Sequence, residues 1–150
     1  MDSKEKVREI LKGHNLMHIS TVDSKGMPRA RGVDFASGES ENILYFMTQK
    51  TSNKVKEINN NANVFVVIDH ECPTMEALSR VKYLKASGKA EIIEKPEEIQ
   101  KVFGLLLKKF PFLKDLPGDP STFVAVKVTL KEINVMDNAV QFGHSEIINY

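Results

Sequence analysis

The stretch from Gly26 to Ile58 decides the fold: G-M-P-R-A-R-G-V-D-F (26–35), then N-I-L-Y-F-M-T-Q-K (42–50), then T-S-N-K-V-K-E-I (51–58). Its order reads strand, strand, helix start. Val55 and Ile58 stand three apart behind Thr51-Ser52, so the period changes there and the T-S pair offers a cap. Two strand ends and one helix N-terminus would then converge on Arg31, Thr48, Ser52 and Lys54. Such a cluster suits a phosphate. The first turn of a helix has backbone N–H groups without intrahelical partners, and its dipole favours an anion. Arginine holds phosphate with two parallel N–H bonds, lysine supplies a point charge, and hydroxyls fill the remaining acceptor sites.

Upstream of that stretch, Val7, Ile10 and Leu11 share one face of a helix over 3–13, with Asp2 or Ser3 as N-cap and Gly13 at its end. Leu16–Val22 (L-M-H-I-S-T-V) reads as a strand closed by D-S-K-G, which has turn chemistry. A second strand starts at Pro28 and runs to about Ser37, and Ile43–Thr48 follows a polar loop. These three strands are expected to form a meander.

Downstream, Asn59-Asn60-Asn61 should stop the helix, and V-F-V-V-I (64–68) reads as a strand buried on both faces. Residues 71–80 are a connection without a defined form. Leu84, Ala86, Gly88, Ala90 and Ile92 alternate with polar residues, which predicts a long half-buried strand. Pro96 suits a first helical turn, Glu97 and Glu98 suit its dipole, and the stripe from Ile99 to Phe110 is core or subunit contact. After a loop, Phe123–Val135 returns to strand, with a last short strand expected near 139–142. The fold class is therefore mainly β with flanking helices (α+β), about six antiparallel strands in one barrel-like domain over 1–150. No G-x-G-x-x-G and no P-loop pattern occurs, so a nucleotide cofactor would not be held by either device.

Composition narrows the function classes. A formal net charge of +1 gives no global attraction to nucleic acid or to an anionic membrane, so any anion site must be local. The single cysteine, Cys72, makes no internal disulfide and has no basic neighbour to activate it. The charged N-terminus lacks a signal-peptide core, and no apolar run approaches the ~20 residues of a membrane span. A cytoplasmic protein is expected. His70, Glu71 and Cys72 adjoin, with His18 and His144 elsewhere, but no H-x-x-x-H or C-x-x-C spacing appears, so no metal site is assigned. No nucleophile, base and orienting group can be read together, so covalent catalysis has no support.

Taken in order, these motifs resemble the FMN-binding split β-barrels related to pyridoxamine phosphate oxidase, in their short general-stress-protein branch. The resemblance rests on Gly26, Pro28 and Arg31 in G-x-P-x-x-R, on L-Y-F-M-T ending at Thr48, on Ser52 and Lys54 in S-x-K, and on G-K-A at 88–90. It covers roughly residues 14–135. It implies a six-stranded antiparallel split barrel of Greek-key type, and a homodimer with FMN in a groove between subunits. On that resemblance Arg31 and Lys54 hold the phosphate, with Thr48 and Ser52 as hydroxyl partners. The backbone at Gly32, Val33, Asp34, Phe46 and Met47 lines the isoalloxazine and ribityl groups, and Tyr83 stands where the oxidase has a flavin-contacting glutamine. Arg29 shares the strand face of Arg31 by parity and reads as a solvent or interface charge, or as its substitute.

Two departures bear on activity. Asn53 precedes Lys54 where the oxidase has a basic pair, and the tail V-Q-F-G-H-S-E-I-I-N-Y lacks the oxidase's arginine-containing substrate segment. The expected function is an FMN-dependent oxidoreductase passing electrons between a reduced donor and a small-molecule acceptor, not a true pyridoxamine phosphate oxidase. The alternative is a flavin, deazaflavin or haem binding module with a stress-related role and no turnover. An oligonucleotide-binding barrel is disfavoured by zero Trp and near-neutral charge.

Overall fold

The computed structural model describes residues 1–150. Helix α1 spans Ser3–Gly13, capped by Asp2, whose side chain accepts from the Glu5 N–H while the Glu5 side chain accepts from Asp2 N–H. Gly13 is the last helical residue, and His14 closes the helix in an extended conformation. The next elements are β1 (Leu16–Val22), β2 (Pro28–Asp34), β3 (Ala36–Ser37), β4 (Ile43–Gln49), α2 (Asn53–Asn60) and β5 (Asn63–Ile68). They are followed by α3 (Met75–Leu78), β6 (Lys82–Ile93), α4 (Pro96–Lys109), two short 3₁₀ turns, β7 (Phe123–Asp137) and β8 (Ser145–Asn149).

All eight strands form one antiparallel sheet in the order β2-β1-β5-β6-β7-β4-β3, with β8 added to the second half of β7. The two ends of that path, β2 and β3, are consecutive in the chain and separated only by Phe35. The sheet must therefore curl until its ends meet, which makes it a split barrel. The strand expected from Pro28 to Ser37 thus breaks at Phe35, a fully buried residue, and the expected meander is corrected: β2 pairs with β1, while β3 pairs with β4.

Side chains of alternate parity fill the barrel. Leu44, Phe46, Val126 and Val128 point into the main core, whereas Tyr45 and Ala125 face outward beneath Val102 and Leu106 of α4. The parity of β7 reverses at Lys131, so that Leu130 and then Ile133 and Val135 all stay inside. Gly88 lies opposite this bulge; a Cβ there would stand 2.6 Å from the Thr129 carbonyl oxygen. Val7, Ile10 and Leu11 of α1 close one mouth near the start of β6, where Glu9 meets Lys82. Ile58 of α2 packs near the other end, where Ala90 N–H donates to Ala62 O.

Three further expectations change. β5 is buried on one face only: Val64, Val66 and Ile68 are inside, Phe65 is 45% exposed and Val67 half-buried. Residues 71–80 contain the one-turn helix α3, capped by Thr74. The last strand lies at Ser145–Asn149 rather than near 139–142. Residues 138–144 instead form its turn, held by Asp137 Oδ1 and Asn138 Oδ1 accepting from the Ala139 and Gly143 N–H groups, with Gly143 at φ 80°.

Candidate functional site

Arg31 lies on β2 with its side chain on the inward face, level with Ile19 of β1. Its guanidinium meets two acceptors under α2: Nη1 donates to Thr21 Oγ1 at 2.7 Å and Nη2 donates to Glu57 Oε1 at 2.7 Å. Thr21 Oγ1 in turn donates to the same Glu57 oxygen at 2.8 Å, which closes a three-membered ring of hydrogen bonds. Nη1 also reaches the Arg29 carbonyl at 3.2 Å. Two acceptors so close together occupy the end-on edge of the guanidinium. The side-on edge, Nε–H and the second Nη2–H, has no protein partner, and its two parallel donors suit a bidentate grip on phosphate.

Lys54 sits in the first turn of α2, half-buried, and forms no ion pair or hydrogen bond. Burial and then the neighbouring Arg31 charge push its amine below the ordinary lysine value, against an upward pull from Glu57. Burial alone would raise the Glu57 carboxyl. Hydrogen bonds from Thr21 and Arg31, with the fields of Arg31 and Arg29, outweigh it and hold the group below the usual carboxylate range. Glu57 is therefore an anion at neutral pH.

The start of α2 is open. Ser52 occupies the N-cap position but makes no capping bond; its hydroxyl instead accepts from Thr48 Oγ1 at 3.2 Å. No acidic residue lies in the first turn, and the Asn53 and Lys54 N–H groups have no backbone acceptor. Two cations, two hydroxyls and an uncapped helix terminus thus meet at one end of the barrel. This donor set matches a phosphate or another small oxyanion.

The remaining expected residues divide. Gly32 and Asp34 are exposed on β2 and Val33 packs against the core. The Phe46 side chain is fully buried inside the barrel and Met47 packs on the α4 side, so only their backbone faces are left for a ligand. Tyr83 is near the start of β6, level with Met136, whereas Ile93 at its other end is level with Ala125 and Met47. Arg31 is level with Ala86 of β6 through Ile19 and Val66 and faces inward, whereas Tyr83 shares the outward parity of Lys85, so Tyr83 lies on the opposite face of the sheet from the Arg31 side chain of its own chain.

Glu57 and Thr21 are the participants that sequence reasoning missed. Both had a signal: Glu57 lies one helical turn after Lys54, and Thr21 is the polar member of the inward series Met17, Ile19, Thr21.

A cleft of about 880 Å³ lies elsewhere, between α1, the β3–β4 turn and α4. It opens widely to solvent, and its carboxylates are already engaged: Glu41 with Arg8, Lys4 and Tyr150, Glu39 with Tyr45. Its lysines at the ends of α1 and α4 complement helix dipoles. Chemistry rather than volume therefore favours the α2 end. His70 is not among the residues lining that cleft, and its Nδ1 lies 2.9 Å from Nε2 of His14. No three His, Cys, Asp or Glu side chains converge as metal ligands, and no helix is long and apolar enough to cross a membrane.

Comparison with known proteins bears on this site. The family model described as pyridoxamine 5'-phosphate oxidase matches residues 3–137. The chain is 29% identical over 136 residues to General stress protein 26 of Bacillus subtilis, covering 91% of this chain and 89% of that one. Among solved structures it is similar to General Stress Protein 26 of Bacillus anthracis, at 26% identity, full coverage of both chains and a TM-score of 0.70. It also shares its fold with the haem storage protein of Vibrio cholerae, at 14% identity, 91% and 95% coverage and a TM-score of 0.73.

Proposed function

Since the chain belongs to the pyridoxamine 5'-phosphate oxidase family, we propose that it is an FMN-binding flavoprotein. It acts as an oxidoreductase that passes electrons between a reduced donor and a small-molecule acceptor, and not as a pyridoxamine phosphate oxidase. The observation that carries the reading is Lys54, a half-buried amine with no protein partner, within the field of Arg31 at the uncapped start of α2. A half-buried cation facing another cation is costly unless an anion completes the site.

In this reading Arg31 grips two phosphate oxygens, Lys54 neutralises the second charge, and the Asn53 and Lys54 N–H groups and the Ser52 hydroxyl, which accepts from Thr48 Oγ1, donate to the remaining lone pairs. The backbone of Gly32–Asp34 and Phe46–Met47 borders the groove for the ring. Bound flavin supplies the electron-transfer chemistry, and the protein fixes it and excludes water. Substrate arginines of the oxidase type are absent from the tail, whose β8 is occupied in pairing with β7.

The functional unit is a homodimer formed through the outward face of the sheet. Strand register places Gly32, His18, Val67, Lys85, Asn134 and Ile147 in one row across that face. Phe65 adjoins it, 45% exposed, with Ile147 at 60%, and Asn134 Oδ1 is buried without a partner. A second copy would cover these groups and supply the missing donor. Tyr83 has outward parity on the same face and so belongs with the subunit contact.

The test is the visible spectrum of purified protein before and after FMN addition and gel filtration, followed by steady-state oxidation of NADH and NADPH. Retained flavin near one per subunit with turnover supports the oxidoreductase. A protein that refuses FMN overturns the reading. The second reading is a binding module without turnover, carrying flavin, a deazaflavin or haem in a stress-related role. The match to General stress protein 26 favours it, since that name records a condition and no reaction. Flavin retained without turnover by either nicotinamide would select it.

A further inference from the structure

Building on the phosphate reading, we propose that Glu57 is the positioning residue of the anion site. It locks the end-on edge of Arg31, so that the side-on edge is presented beside Lys54.

A free arginine on an edge strand samples many rotamers, and ordering it on ligand binding costs affinity. Here the ring of Arg31, Thr21 and Glu57 is closed by bonds of 2.7, 2.7 and 2.8 Å, all made between the protein's own groups. Glu57 is itself fixed, because it projects from α2, whose Val55 and Ile58 are anchored in the interior. The helix that offers its N-terminus to the anion therefore also carries the carboxylate that aims the arginine. Register between the two halves of the site is set within one rigid element.

The carboxylate has an opposite effect as well. Its negative charge lies within hydrogen-bond reach of Arg31 and repels an incoming phosphate. Geometry and charge can be separated. Glutamine at position 57 keeps an oxygen to accept from Arg31 and Thr21 but removes the charge. Alanine removes both.

The experiment titrates FMN, with riboflavin as the phosphate-free probe, against wild type, Glu57→Gln and Glu57→Ala, following flavin fluorescence. Glu57→Gln should bind FMN at least as tightly as wild type, and Glu57→Ala about tenfold more weakly. Riboflavin affinity should be the same in all three. In parallel, nitrogen-15 NMR of the arginine side chains follows Arg31, identified by its loss in Arg31→Ala. Rotation of its Nη groups should be slow in wild type and Glu57→Gln and fast in Glu57→Ala.

Equal FMN affinity in wild type and Glu57→Ala, or a parallel loss of riboflavin, would overturn the positioning role and leave an ordinary structural ion pair. So would an Arg31 side chain as mobile in wild type as in Glu57→Ala. A wild type that binds no FMN would instead remove the phosphate reading, and the NMR arm would still decide whether Glu57 orders Arg31.

Discussion

Replacing Lys54 by methionine separates what this residue does for the fold from what it does for a ligand. Methionine keeps most of the apolar stem and loses only the charged end. In the ligand-free protein that end has no partner, is half-buried and lies near Arg31, so its charge is a cost to the folded state. Lys54→Met should therefore leave stability unchanged or raise it by up to about 1 kcal/mol. FMN binding should fall by about 1.5–3 kcal/mol, the range for a charge-assisted hydrogen bond, which is roughly 10- to 150-fold in Kd. Riboflavin, without a phosphate, should bind both proteins alike.

The pH dependence has a definite sign. The folded-state pKa of Lys54 lies below its ordinary value of 10.5. Between the two the unfolded chain holds the extra proton, so wild-type stability gains from this group as pH rises through that window. Lys54→Met should lose that slope. The assays are urea unfolding at neutral and alkaline pH together with flavin titration. A variant less stable by more than about 1 kcal/mol, or one that loses riboflavin as much as FMN, would refute the reasoning.

The other predictions concern packing and assembly. Lys6 lies 7% exposed between Asp137 and Glu146, at 3.0 and 2.5 Å, so Lys6→Met should strand two carboxylates and cost about 3 kcal/mol at pH 7, less at pH 4, by urea unfolding. In wild type, hydrogen bonds from Lys6 and Ser3 hold Glu146 down to about 2, with His144 assisting against burial. Its contribution is complete above pH 4.5 and disappears as pH falls towards 2, costing roughly 2 kcal/mol after allowance for screening, visible as a falling Tm in acid. Gly88→Ala should destabilise by about 2 kcal/mol, because the added methyl meets the Thr129 carbonyl and not a side chain that can move. Ile147→Lys, at a position 60% exposed, should leave the fold intact and convert a dimer to monomer in light scattering; an unchanged mass would exclude this face as the contact.

Much of the fold was legible because local patterns there coincide with tertiary demands. Alternation of Leu84, Ala86, Gly88 and Ala90 gave β6, and the apolar spacing of Val7, Ile10 and Leu11 gave α1. Turn chemistry located Gly26, which has φ 77°. The candidate phosphate donors carried a sequence signal as residue types at strand and helix ends, and the structure brings Thr48, Ser52 and Lys54 together at the start of α2 with Arg31 close enough to lower the Lys54 amine. Pro28–Ser37 misled because a continuous extended run carries no mark of which neighbour each half will pair with. V-F-V-V-I misled because apolar residues on a strand's outer face look the same whether a helix, a subunit or solvent covers them.

By itself the sequence determined the element types, a barrel-like sheet and one cluster of phosphate-suited side chains, because period, turn residues and caps act over a few neighbouring residues. Tertiary structure alone decided that β2 and β3 form the two ends of one curled sheet, that Tyr83 faces outward from the barrel while Arg31 faces inward, and that Glu57 and Thr21 clasp Arg31. Those facts depend on contacts between residues distant in the chain, and such contacts follow from closing the barrel around a shared core, which no local pattern records.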